Sequence, residues 1–179
     1  MVELTATSER LMALWLEARD DALVPHRKAM TPDRLKSILP YLMVLEWEGD
    51  QRLLFRLAGT QVVDGFGLEL RGRNLFDFAH ADNLDAQRWV MSRVCTRPQG
   101  LCIDAQFPGR DGRLQDYQIL YLPLAEDDGE RRRIISVISA VNRSYDRYEL
   151  DGPARITEYT QTAYVDLGVG IDDGFEPPA

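Results

Sequence analysis

Two histidines (His26 and His80), two cysteines (Cys95 and Cys102), the acids Asp82 and Asp85 and the run Arg131, Arg132, Arg133 are the groups with the most chemical reach in this 179-residue chain. With so few histidines, a metal site would have to be built almost wholly of carboxylates, which is a weak case for zinc or copper. No metal is therefore expected. The cysteines lack CxxC spacing and read as small buried hydrophobes. Asp82 and Asp85 have the right groups for acid–base work, but a helix start favours acids through its dipole and explains them more simply. The three arginines offer a bidentate grip on phosphate or carboxylate; a solvated turn, or pairing with the acidic tail, is the plainer account. The chain has no GxSxG elbow, P-loop, HExxH or GxGxxG, so no nucleophile is visible with its base. No catalytic residue and no enzymatic activity are expected.

The charge balance narrows the partners. With 29 acidic and 21 basic residues the formal charge is -8, opposite to what displaces counterions from nucleic acid. No nucleic-acid partner is expected. Hydrophobic residues make up 45% of the chain, enough for a real core. The apolar runs, such as Tyr41 to Leu45, are too short to span a bilayer. The opening MVELTATSER lacks the basic and apolar segments of a secretory signal. These features lead to the expectation of a cytoplasmic protein with no membrane partner.

The elements that would position any site follow from periodicity. Ser8 is placed to cap a helix with Leu11, Leu14, Trp15 and Ala18 at helical spacing. Pro25 lies in a connector, and Thr31-Pro32-Asp33 starts a second helix with a capping hydroxyl, proline and acid in order. Leu39-Pro40 stops it. YLMVLEWE and QRLLFRLAG flank Gly49-Asp50 as a β-hairpin, with Leu53, Phe55 and Leu57 on one face and Arg56 on the other. Short helical pieces run from Thr60 to Phe78, and a longer helix from about Asp82 to Val94 turns Leu84, Trp89 and Val90 or Met91 inward. Three strands follow: LCIDAQF, then LQDYQILYLPL after a turn at Gly109 to Gly112, then RIISVISAV. The last is apolar on both faces and is expected to be the most buried. The result is an α+β class with a five-stranded antiparallel sheet and helices on one face. Residues 143–179 carry eight acids and three arginines without a clean period, and read as an acidic arm that packs on the body or on a neighbour and frays towards its end.

This order resembles a PAS domain, and more closely a small bacterial family of stand-alone PAS-like proteins. The resemblance covers Trp15 to about Val141. It rests on Trp15, Arg19, Pro25, Arg27, Pro32, Leu39-Pro40, Phe55 to Thr60, Phe66-Gly67, Gly72, Tyr117 and Leu122-Pro123-Leu124. The glycines read as scaffold: Gly59 lets a strand leave the sheet, and Gly67 and Gly72 serve the short helices. Pro123 suggests a strand edge or terminus. The division implied is N-terminal helices over 1–40, a PAS core over 41–142 and a C-terminal arm over 143–179.

The resemblance implies sensing and signalling through protein–protein contact, without a shared ligand. Flavin photosensors of this kind place a reactive cysteine after an asparagine, whereas here Leu75 follows Asn74. Haem-binding members use a histidine on the longer helix, and His80 falls before it. No cofactor is expected. The cavity between sheet and helices would be lined by Phe55, Leu57, Leu75, Phe76, Phe78, Trp89, Ile103, Ile119, Tyr121 and Ile138. Any ligand there should be small and apolar, because no charged group lines it. Leu11, Met12, Leu14, Trp15, Leu16 and Ala18 offer more apolar surface than one stripe needs, which suggests a homodimer interface. The leading reading is a sensor acting by dimerisation or by docking on an unknown signalling protein. The alternative is a receptor for a small apolar molecule.

Overall fold

The computed structural model describes residues 2–78, 84–97, 99–108, 114–127, 132–141 and 158–171. His80, Asp82, Arg131, the turn over 109–112 and the chain end over 172–179 lie outside the described residues. The frame is an antiparallel sheet of β1 (Leu42–Glu48), β2 (Arg52–Ala58), β3 (Gly100–Pro108), β4 (Leu114–Leu124), β5 (Arg133–Ala140) and β6 (Glu158–Val165). Its order is β2-β1-β5-β4-β3-β6. The five expected strands are present, and a sixth from the C-terminal region extends them. In β6 the sequence EYTQTAYV pairs with β3, from Gly100 opposite Val165 to Gln106 opposite Glu158.

Helices cover both faces of this sheet. On the inner face lie α3 (Thr60–Phe66), a 3₁₀ turn over Leu75–Phe78 and α4 (Leu84–Thr96). They bury Phe66, Phe76, Phe78, Val90, Met91 and Val94 against Leu45, Phe55, Ile119, Ile134 and Ile138 of the strands. On the reverse face α1 (Ala6–Arg19) and α2 (Pro32–Leu35) bury Leu11, Leu14, Trp15 and Leu35 against Leu42, Leu120, Leu122, Ile135 and Val137. The N-terminal helices are thus the second layer of the domain. This double cover explains why every residue from Ile134 to Ser139 is buried: successive side chains of β5 enter alternate cores.

Local details depart from the sequence reading in instructive ways. Helix α1 is capped by Thr5 rather than Ser8, with the Thr5 hydroxyl accepting from the Ser8 amide at 3.3 Å. Thr5 is held there because its amide donates to Gln118 Oε1 at 2.8 Å and its hydroxyl meets Ser139 Oγ at 2.6 Å. Leu57, expected on the inner face, is 41% exposed. The pairing steps from Val44 opposite Leu57 to Leu45 opposite Phe55, so Arg56 is an extra residue in β2. A bulge of this kind breaks the alternation of faces, and Leu57 joins Val44 on the reverse side. Pro123 lies one residue from the end of β4, as a terminus requires, but β4 is an interior strand with Pro123 opposite Ile134.

Gly59 is required for space. A Cβ there would stand 2.2 Å from the carbonyl oxygen of Leu39 and 2.4 Å from that of Pro40. Gly67 is required for conformation, capping α3 at φ 66° in the left-handed region.

Candidate functional site

Two of the apolar positions proposed as cavity lining, Phe55 and Phe78, join a run of rings with Phe66, Phe107 and Tyr117. Phe55 stands edge-on to Phe78 at 6.1 Å, Phe78 to Phe66 at 5.2 Å, Phe66 to Phe107 at 6.3 Å and Phe107 to Tyr117 at 5.4 Å. This run of edge-to-face rings crosses the inner face of the sheet in the geometry aromatic quadrupoles prefer. Ile103, Ile119, Tyr121 and Ile138 are buried around it, and Leu75 packs on its margin. The Tyr117 hydroxyl donates to Gln115 Oε1 at 2.8 Å, and burial pushes its pKa up to about 12.

Open space lies to one side, in a groove of about 710 Å³ between α4 and the β1–β2 turn. Helix α4 lends it one stripe at helical spacing, Asp85, Arg88 with Trp89, Ser92, and Cys95 with Thr96. Trp47, at the end of β1, and the turn residues Gly49 to Gln51 form the opposite wall, and Arg132 closes one side. The Arg132 carbonyl accepts from the Trp47 amide at 2.9 Å. Of the ten proposed lining residues only Trp89 reaches this groove, whose walls also carry Asp85, Arg88 and Arg132. Trp47 escaped the sequence reading, although Met43, Leu45 and Trp47 alternate along β1 towards the inner face.

Within the walls, Trp47 leans on the Phe76 ring at 5.7 Å between centroids, and the Arg88 guanidinium sits over the same ring at 5.7 Å. Arg88 Nη1 donates to Asp85 Oδ1 at 3.1 Å, and the Asp85 side chain is 88% exposed. Trp47 Nε1 and Arg88 Nε are both buried without a hydrogen-bond partner. Beside the groove Arg93 covers the Trp89 ring at 5.3 Å.

The remaining chemistry-bearing residues take structural roles. Arg133 Nη2 bonds Glu46 at 3.1 Å, while its Nε lies 2.7 Å from Glu126; Arg27 Nε reaches Glu126 at 2.6 Å. His26 Nε2 lies 3.1 Å from Asp127, and Lys28 holds the same carboxylate at 2.6 Å. The Lys28 hydrogen bond is the main reason the Asp127 carboxyl falls below its ordinary range. Cys95 and Cys102 are both free and buried, and belong to opposite cores. Burial, helped by Asp104, pushes the Cys102 thiol up to about 12. Among the described residues no three His, Cys, Asp or Glu side chains gather as a metal site.

On the proposed dimer face, Leu11, Leu14 and Trp15 are buried under the chain's own sheet. Met12 and Ala18 are half-buried against the same core. That withdraws the first three as partner contacts, because one helix stripe covers one sheet face. Leu16 alone of the six stands out, 43% exposed.

A family model described as PAS domain matches residues 4–139, three-quarters of the chain. The chain belongs to the PAS domain family. Such domains are sensory and signalling modules, and the matched span takes in both helical layers and β1 to β5 but stops short of β6.

Among solved structures this PAS domain is similar to Drosophila melanogaster Cycle PAS-B with bound ethylene glycol, at 13% identity, 56% of this chain, 98% of that chain and TM-score 0.44. It is also similar to the Vibrio cholerae VqmA dimer solved in the absence of target DNA, at 15% identity and TM-score 0.48, covering 64% of this chain and 53% of that one. A light-oxygen-voltage domain studied with a flavin analogue gives 14% identity, 63% of this chain, 85% of that chain and TM-score 0.47. No curated protein matches the chain.

Proposed function

We propose that this PAS domain is a non-enzymatic cytoplasmic sensor that signals by docking, with a second copy of the chain as its first partner. The apolar side chain that α1 leaves exposed carries this reading. Rings from Phe55 to Tyr117 pack edge to face across part of the inner face, which supports recognition at the outer surface. The second helical layer places Leu16 on that surface while its neighbours Trp15 and Leu14 are buried. No helix among the described residues is long and apolar enough to cross a membrane.

Light scattering of the whole chain across a range of concentrations tests the reading. A dimer that Leu16→Glu converts to monomer, with the melting temperature retained, is the expected result. A substitution is preferable to removing α1, whose loss would strip Trp15 and Leu11 from the reverse core. A strictly monomeric chain, or a dimer indifferent to Leu16→Glu, would remove this interface.

The second reading, a receptor whose occupancy alters docking, is favoured by the groove beside α4. Its mixed walls, with Arg88 next to Trp47 and Trp89, move the expected ligand away from purely apolar molecules.

A further inference from the structure

We infer that the groove between α4 and the β1–β2 turn is a binding site for a small aromatic carboxylate. The inference rests on the chain being a sensory module, and it names the chemistry that such a module would sense.

Two donors decide the charge of the ligand. Trp47 Nε1 and Arg88 Nε are buried and have no hydrogen-bond partner, and both residues line the groove. Buried donors are almost always satisfied, and an exception calls for an acceptor from elsewhere. Both side chains pack on the Phe76 ring, at 5.7 Å each. The carboxylate Arg88 does hold belongs to Asp85, which is 88% exposed. An exposed pair of that kind is weak. Turning the guanidinium towards the groove exchanges Asp85 for a ligand carboxylate, which the planar fork grips through two parallel bonds. The Trp47 indole N–H is the second unpartnered donor among the groove residues.

The walls decide the rest of the molecule. Trp47 and Trp89 supply flat apolar surface, and about 710 Å³ suits a one- or two-ring molecule. A ligand cation is disfavoured, because arginines already lie over the rings of Phe76 and Trp89. A neutral apolar ligand would leave both donors unsatisfied, and bare phosphate would leave the tryptophans uncovered.

Calorimetric titration of the full chain with benzoate and indole-3-acetate tests this, with benzyl alcohol, benzylamine and inorganic phosphate as comparisons. The carboxylates are expected to bind, and benzyl alcohol to bind at least about tenfold more weakly, in line with a charge-assisted bond. Arg88→Gln should weaken the carboxylates by about tenfold or more, and Trp47→Phe should weaken them several-fold while keeping the aromatic wall. Arg88→Lys keeps the charge and loses the fork, so affinity should fall even if Arg88→Gln proves unstable. The inference is overturned if neither carboxylate binds at millimolar concentration, if benzyl alcohol or phosphate binds as well, or if both Arg88 variants bind like wild type. Binding is read on the chain in any oligomeric state, so this result and the Leu16→Glu result can fail separately.

Discussion

The indole nitrogen of Trp15 donates a 2.8 Å hydrogen bond to the backbone carbonyl of Pro123, joining the middle of α1 to the end of β4. Trp15 is fully buried, and Arg19, one turn on, lies near its ring and donates to the Leu167 carbonyl at 2.6 Å. The same helix face therefore clasps β4 and the segment after β6. Trp15→Phe keeps much of the apolar surface but leaves the Pro123 carbonyl unpaired in the core. It should cost about 2–4 kcal/mol, combining a smaller ring with an orphaned acceptor. Denaturant unfolding measures this, and a loss below about 0.5 kcal/mol, the range of neutral surface changes, would show that α1 is only loosely attached.

Two substitutions to tryptophan, at Ile119 and Leu57, test whether the interior is full. Ile119 is 3% exposed in the inner core, and Leu57 is 41% exposed beyond the bulge. Ile119→Trp should overpack the ring network and cost about 1–3 kcal/mol. Leu57→Trp should change stability by no more than about 0.5 kcal/mol. Equal effects, or a stabilised Ile119→Trp, would mean that the inner face holds unfilled volume.

The order of elements was legible in the sequence because hairpin chemistry, helix starts and alternation all pointed the same way. The placement of side chains was less so. An extra residue in β2 at Arg56 leaves composition unchanged and still reverses the facing of Leu57. The second helical layer was signalled by β5, whose apolar residues on both faces require cover on both, yet the helices were expected on one. Strand β6 has mixed polarity because it pairs at a sheet edge, where backbone hydrogen bonds supply much of the specification and one face can stay wet. The groove was invisible for a related reason. It joins Trp47, Arg88 and Arg132 from three separate elements, and only the packing of α4 against the hairpin brings them together.

Alkaline stability offers the last test, through two buried acids in opposite cores. Burial raises Cys102 from 9.0 to about 12 and Tyr117 from 10.0 to about 12, and both groups are neutral when protonated. Between their unfolded and folded values the native state holds protons that the unfolded chain has released. Stability then falls as pH rises, because the unfolded state binds fewer protons. Below pH 9 both contributions are fully present; the thiol begins to act above pH 9 and the phenol above pH 10. Each group can add a slope approaching about 1.4 kcal/mol per pH unit. Melts at pH 8 to 11 should therefore show a steepening loss of stability. Cys102→Ala removes the earlier onset and Tyr117→Phe flattens the later one, each lowering stability at pH 8 through a lost packing or hydrogen-bond contact. A wild-type curve flat to pH 11, or variants that decline with the wild-type slope, would show that these two groups do not drive the alkaline response.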